Sequence, residues 1–156
     1  MKIWKCLQPE LIFLNVSLSD KDASLRFISD AFLQSGIVEN TDNLYNGIKK
    51  REELMSTGIG GGIGIPHTAC SDAKNAAILL IRLEHPIDFD SLDALPVDII
   101  IAIVVPENKT ALHLQMLAGI SRLCRHENFL NTLRRAKDSQ SLLDEIREIE
   151  DNIAFH

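Results

Sequence analysis

The sequence predicts an α/β fold in which a sheet is covered by helices on both faces. Two apolar runs, residues 76–83 (AAILLIRL) and 97–105 (VDIIIAIVV), have the length and β-branched content of strands. The second is almost continuous Ile and Val, the composition of a strand buried on both sides. Segments with helical spacing both precede and follow this strand-rich middle, so helices are available for each face.

A short N-terminal segment ends near Val16. Ser19 or Asp20 can cap a first helix, in which Ala23, Phe27, Ala31 and Leu33 follow at helical spacing and Gly36 is placed to stop the chain. Thr41 can cap a second helix, with Leu44, Ile48 and Glu52 on related faces, and this helix is expected to run through 53–55 and end at Gly58. Ile63, Gly64 and Ile65 are enough for a short edge strand before the two clear strands. Beyond Pro106, Thr110 can cap a helix whose stripe is His113, Met116, Leu117, Ile120 and Cys124. Residues 127–136 and 139–149 read as two further helices, the last with Leu142, Leu143, Ile146 and Ile149 apolar. There is no internal repeat, low-complexity tract or linker, so residues 1–156 are expected to form a single domain.

Composition narrows the function classes. A chain of 156 residues is long enough to bury about 70% of its unfolded surface. With 46% hydrophobic and 24% charged residues it has the make-up of a soluble globular protein. A net charge of −6 argues against a nucleic-acid partner, which needs clustered cations. The nearest basic run, Lys49-Lys50-Arg51, is followed at once by Glu52-Glu53, and its two lysines read as a solvated helix face. Cys6, Cys70 and Cys124 are odd in number, far apart and never in a C-x-x-C pair, which disfavours a disulfide framework and fits a reducing compartment. Lys2 and Lys5 have no sustained apolar stretch after them, so no signal peptide is expected. The longest apolar run, residues 99–105, falls far short of the roughly 20 residues a membrane helix needs. The expected location is therefore the cytoplasm, without direct membrane insertion.

The most informative stretch is residues 58–67, GIGGGIGIPH. Five glycines in seven positions leave few side chains to keep another molecule away, and Pro66 pushes Ile65 toward an extended conformation. His67 is thus expected on an exposed, stiffened bend open to a large partner. A nucleotide-binding reading fails on spacing. From Gly58, Gly60 or Gly62 the last position of G-x-G-x-x-G falls on Ile63, Ile65 or His67, and there is no G-K-[ST]. For the glycines alone, a tight connection needing positive φ is an equal reading.

Among the other histidines, His85 before Pro86, His126 between Arg125 and Glu127, and the last residue His156 have no chemical partner in sequence. His113 differs, because it lies on an inward stripe near a helix N-terminus, where the dipole disfavours imidazolium and favours a nearby anion. A histidine satisfied by local hydrogen bonds is the alternative there. Cys70 and Asp72, just past His67, would with His113 make a weak zinc-ligand set, and Cys70–His67 a nucleophile pair lacking a third member.

These residues also fall into a known pattern. Arg51-Glu52-Glu53-Leu54, Ser56-Thr57-Gly58-Ile59-Gly60, Gly62-Ile63 and Ile65-Pro66-His67 together resemble the signature of the fructose/mannitol/nitrogen-regulatory (type 2) class of enzyme IIA domains. These domains serve the bacterial phosphoenolpyruvate-dependent sugar phosphotransferase system. Pro96-Val97-Asp98, Val105-Pro106, His113-Leu114-Gln115-Met116-Leu117 and the segment through Leu123, Phe129, Leu130 and Leu133 are similar to the same family, so the resemblance covers essentially the whole chain. It implies a mixed, mainly parallel five-stranded sheet flanked by helices. It also implies that His67 accepts a phosphoryl group from the phosphocarrier HPr, or an HPr-like protein, and passes it to a cysteine of an enzyme IIB. In that scheme His113 is the second active-site histidine, Arg51 steadies the phosphate, and no cofactor or metal is needed.

Gly64 stands where alanine is frequent in the family, and Thr68 where glycine is common. The Thr68 hydroxyl and the Gly62 backbone are expected as lesser phosphate supports. With no HPr-like, IIB or membrane IIC region in the sequence, the partners are expected to be separate proteins. Three other readings stand behind sugar transport: a nitrogen-type regulatory IIA with the same chemistry, a metal-dependent hydrolase on His67, Cys70 and His113, and a binding module without phosphate chemistry.

Overall fold

A computed structural model describes residues 1–153. His156 lies outside them. The chain runs through two short 3-10 turns into β1 (Ile12–Val16), α1 (Lys21–Gln34), α2 (Thr41–Leu54), β2 (Gly58–Gly60), β3 (Ile63–Gly64), β4 (His67–Cys70), β5 (Ala77–Ile87) and β6 (Val97–Pro106). Helices α3 (Thr110–Cys124), α4 (Glu127–Arg135) and α5 (Ser139–Ile153) follow.

The sheet has the order β1-β5-β6-β3-β2, with β4 also paired to β6. The β1–β5, β3–β6 and β4–β6 pairings are parallel, while β5–β6 and β2–β3 are antiparallel. This is the mixed sheet expected, with six strands instead of five. The difference has a simple cause. β3 and β4 occupy one lane beside β6, with Ile63 opposite Ile99 and His67 opposite Ile103, and the lane is broken at Ile65-Pro66. Proline has no N–H to give to a ladder, so the pairing must stop and restart there.

The composition of β6 follows from its place. Ile100, Ala102 and Val104 face one core with Leu25, Ile28 and Phe32 of α1 and Leu44 and Ile48 of α2. Ile99, Ile101, Ile103 and Val105 face the other with Met116 and Ile120 of α3, Leu133 of α4, and Leu142 and Ile146 of α5. A strand covered twice has no polar face to alternate, which is why the sequence shows none.

The helix boundaries differ from expectation in detail. Asp20 caps α1, accepting from the Ala23 N–H at 2.8 Å, and Gly36 ends it at φ +80°. Asn40, not Thr41, caps α2, accepting from Asp42 N–H at 2.8 Å. Thr110 is the first residue of α3, after Lys109 at the cap. α2 stops at Leu54 because Met55 is already extended at φ −168°. Among the described residues no helix is long and apolar enough to cross a membrane.

Candidate functional site

His67 opens β4 immediately after the break at Pro66. Ile65 N–H turns away from β6 to the Thr57 carbonyl (3.0 Å), while the Pro66 carbonyl accepts from Ile103 N–H (2.9 Å). The Ile65 carbonyl is left facing the histidine, with Nδ1 of His67 2.7 Å from its oxygen. A carbonyl only accepts, so Nδ1 carries the proton, and in the neutral ring the lone pair is on Nε2. The ring is half-buried. Burial pushes its imidazolium below the ordinary histidine value, and the Arg51 charge acts in the same direction. The Ile65 carbonyl and the Glu52 carboxylate act against it.

His113 projects from the first turn of α3 onto this ring, edge to face, with centroids 5.4 Å apart and planes at 77°. Its Nε2 is buried and has no hydrogen-bond partner among the described residues. Burial, then the neighbouring His67, pushes its imidazolium down as well. Arg51, in the last turn of α2, lies near enough for its charge to act on the His67 ring. Its Nη1 donates to the Met55 carbonyl at 2.9 Å, which satisfies a helix-end acceptor and fixes the guanidinium. The structure therefore brings His67, His113 and Arg51 together from three elements.

Glu52, beside Arg51, reads in sequence only as a position sharing a helix face with Leu44 and Ile48. That spacing was the available signal: it turns the carboxylate inward, where Glu52 is 7% exposed. It accepts from the Thr57 N–H at 2.8 Å and from the Thr57 hydroxyl, and it faces Lys21 Nζ at 3.3 Å. Lys21 also donates to the Phe89 carbonyl at 3.2 Å.

The lesser expected residues sit differently. Thr68 turns its hydroxyl to the Ala69 carbonyl (3.1 Å) and packs on Gly47 of α2. Gly62 lies in the β2–β3 turn, where Gly60, Gly61 and Gly62 all have positive φ and the Gly62 carbonyl accepts from Asp98 and Ile99. Four strand steps on β6 separate Ile99 from Ile103, so this turn lies about 13 Å from the level of His67. The glycine bend and the histidine are thus separate features, because Ile63 to Pro66 runs extended between them. A Cβ at Gly62 would meet Asp98 Oδ1 at 2.6 Å and Arg134 Nη2 at 2.8 Å, so the glycine there serves the hairpin's own packing.

Cys70 is buried, its thiol donating to Asp72 Oδ1 at 2.7 Å. Burial, helped by that carboxylate, pushes the thiol up to about 11, so it is protonated at neutral pH and not a nucleophile. Asp72 is committed elsewhere too, accepting from Glu39 and Asn40 N–H at the start of α2. Among the described residues no three His, Cys, Asp or Glu side chains converge as a metal site. The hydrolase reading loses its thiol and its ligand set. Large apolar side chains are exposed close in sequence to two of these residues: Leu54 (82% exposed) and Met55 (60%) follow Arg51, and Leu114 (64%) follows His113.

Residues 5–149 match the family described as "Phosphoenolpyruvate-dependent sugar phosphotransferase system, EIIA 2". A PTS system fructose-specific EIIA component of Haloferax volcanii is 31% identical over 140 residues, 90% of this chain and 91% of that protein. A nitrogen regulatory protein of Bradyrhizobium diazoefficiens is 32% identical over 142 residues, 91% of this chain and 92% of that protein. The crystal structure of the nitrogen regulatory protein IIA-Ntr of Neisseria meningitidis superposes with a TM-score of 0.84 at 26% identity, covering 92% of this chain and 98% of that one. With its fold and nearly all of its length matched in this way, the chain belongs to the EIIA 2 family of the phosphoenolpyruvate-dependent sugar phosphotransferase system.

Proposed function

We propose that the protein is a phosphocarrier in which His67 accepts a phosphoryl group from HPr, or an HPr-like protein, and hands it to the cysteine of a separate enzyme IIB. The observation that carries this reading is the held imidazole: with Nδ1–H on the Ile65 carbonyl, the Nε2 lone pair is the free nucleophile. In the first transfer Nε2 forms a bond to phosphorus while the donor's N–P bond breaks, its electron pair returning to the donor imidazole. In the second, a IIB thiolate attacks the same phosphorus and His67 Nε2 recovers its lone pair. Nδ1–H stays in place throughout, and no proton has to move within the carrier.

Phosphoryl transfer of this kind depends on positioning and on stabilising the three equatorial oxygens. Arg51 offers those oxygens the guanidinium nitrogens that its Met55 bond leaves over. His113 Nε2, when protonated as the neutral tautomer, donates to one of them and so gains the partner it otherwise lacks. The exposed Leu54, Met55 and Leu114 suit a protein partner docking over the site. The depressed imidazolium keeps His67 neutral at cytoplasmic pH, where the donor and acceptor proteins work.

Uptake of fructose, or of a sugar alcohol such as mannitol, is the transport reading, and likeness to a fructose-specific component supports it. Likeness to nitrogen regulatory proteins supports a second reading, in which the phosphorylation state of His67 controls binding to other proteins. Labelled phosphoenolpyruvate with enzyme I, HPr and a IIB domain separates the two. Onward transfer to the IIB cysteine favours transport, and a stable phosphoprotein that no IIB discharges favours regulation. In the same assay Arg51→Ala and His113→Ala should slow acceptance about 10²- to 10³-fold without removing the acceptor. An unchanged rate in either would refute its role.

A further inference from the structure

We propose that Glu52 and Thr57 are positioning residues for His67, acting through a hydrogen-bonded relay that fixes the tautomer and aim of the imidazole. The functional meaning of this relay rests on the phosphocarrier reading, but its existence can be tested without it.

The relay runs through named contacts. Glu52 takes both the N–H (2.8 Å) and the hydroxyl of Thr57, so Thr57 can neither translate nor rotate freely. The carbonyl of Thr57 takes Ile65 N–H at 3.0 Å, and the carbonyl of Ile65 takes His67 Nδ1–H at 2.7 Å. Ile65 is already restricted to extended backbone by Pro66, so these two bonds determine where its carbonyl points. At the far end Lys21 of α1 faces the carboxylate at 3.3 Å and is itself tied to the Phe89 carbonyl. A helix-to-imidazole connection is thereby built across the gap where the β3–β4 lane is broken.

A carboxylate is an expensive choice for a buried position whose neighbours on the same face, Leu44 and Ile48, are apolar. An apolar side chain would pack there, but it would leave the Thr57 N–H and hydroxyl without acceptors. The arrangement also serves Arg51. Its anchor, the Met55 carbonyl, lies in the three-residue connection 55–57 that Glu52 closes from the far side. One buried carboxylate thus sets both the nucleophile and the guanidinium. Its charge also favours the imidazolium and so offsets part of the depression from burial and Arg51.

The test is nitrogen NMR of the histidine rings in the full-length protein, with His67 assigned by its absence in His67→Gln. Ring shifts are followed against pH in wild type, Glu52→Gln, Thr57→Val and Thr57→Ser, alongside the rate of phosphoryl acceptance from HPr. In the wild type the Nδ1–H tautomer should dominate. Glu52→Gln should erode that dominance, lower the His67 imidazolium value further, and slow acceptance about 10- to 100-fold. Thr57→Val should lie between, and Thr57→Ser, which keeps both donors, should match wild type. A native spectrum for Glu52→Gln with unchanged tautomer ratio and titration would overturn the relay. Should Glu52→Gln not fold, an unchanged tautomer in Thr57→Val overturns it equally. A wild-type protein that accepts no phosphate would refute the phosphocarrier reading while leaving the NMR comparison to decide the relay.

Discussion

Gly47→Ala probes how closely α2 is pressed against β4 next to His67. Gly47 is in the interior of α2, one turn before Arg51, where alanine is favoured over glycine by about 1 kcal/mol. The added methyl would stand 2.8 Å from Thr68 Oγ1 and 3.5 Å from Thr68 Cγ2. The first distance is below any ordinary contact, so one partner must move. β4 is not free to retreat, because Thr68 pairs with Val104 of the central strand. Turning the hydroxyl aside breaks its 3.1 Å bond to the Ala69 carbonyl. Such overpacking costs about 1–3 kcal/mol, which cancels or exceeds the helix gain. Gly47→Ala alone should therefore leave stability unchanged or lower it by up to about 2 kcal/mol. In a Thr68→Ala background the obstructing atoms are gone, and the same substitution should stabilise by the full ~1 kcal/mol. Urea unfolding of the four proteins reads the coupling directly, expected at about 1–3 kcal/mol. A gain of about 1 kcal/mol in both backgrounds would refute the close packing of Gly47 on Thr68.

Two further outcomes follow from the buried groups. His67 and His113 both titrate below their ordinary value in the folded chain, so the unfolded chain binds more protons as the pH falls. The stability these neutral rings contribute is complete above about pH 6.5 and is lost as the pH drops through their folded values. Denaturation midpoints at pH 7.5 and 5 should show the loss, and a His67→Gln/His113→Gln double variant should lose less over the same interval; an equal loss would contradict it. Glu150 is buried on α5 and accepts from the Ile3 and Trp4 N–H groups at 2.7 and 2.8 Å. Glu150→Ala should cost about 2–4 kcal/mol by orphaning both donors, with Trp4 emission shifting before the main transition. Unchanged emission and stability would show that the N-terminal turn does not depend on this carboxylate.

Much of the fold was legible because its strongest signals are local. The unbroken Ile and Val of β6 marked a doubly covered strand, and Gly36 marked the end of α1. β4 was not legible, since His67-Thr68-Ala69-Cys70 is short and carries neither alternation nor a β-branched run. It is a strand because β6 supplies a partner, which is a long-range fact. For the candidate site, the motif drew attention to Arg51, His67 and His113, and Pro66 supplied the break that frees the Ile65 carbonyl. Of the two readings of the glycine run, a tight connection needing positive φ is what the chain forms at Gly60 to Gly62, while the open bend at the histidine is not. The positive φ values serve a hairpin turn packed on Asp98 and Arg134. Gly47 was silent because its partner, Thr68, lies on another element, and the spacing that turned Glu52 inward could not show its partners, Thr57 and Lys21.

The central claim is that His67 carries the phosphoryl group, and intact-protein mass spectrometry after incubation with phosphoenolpyruvate, enzyme I and HPr tests it most directly. The account predicts a single acid-labile phosphoryl adduct on the wild-type chain and none on His67→Gln. An adduct that persists in His67→Gln, or its absence from the wild type with both sugar-type and nitrogen-type HPr, would contradict it.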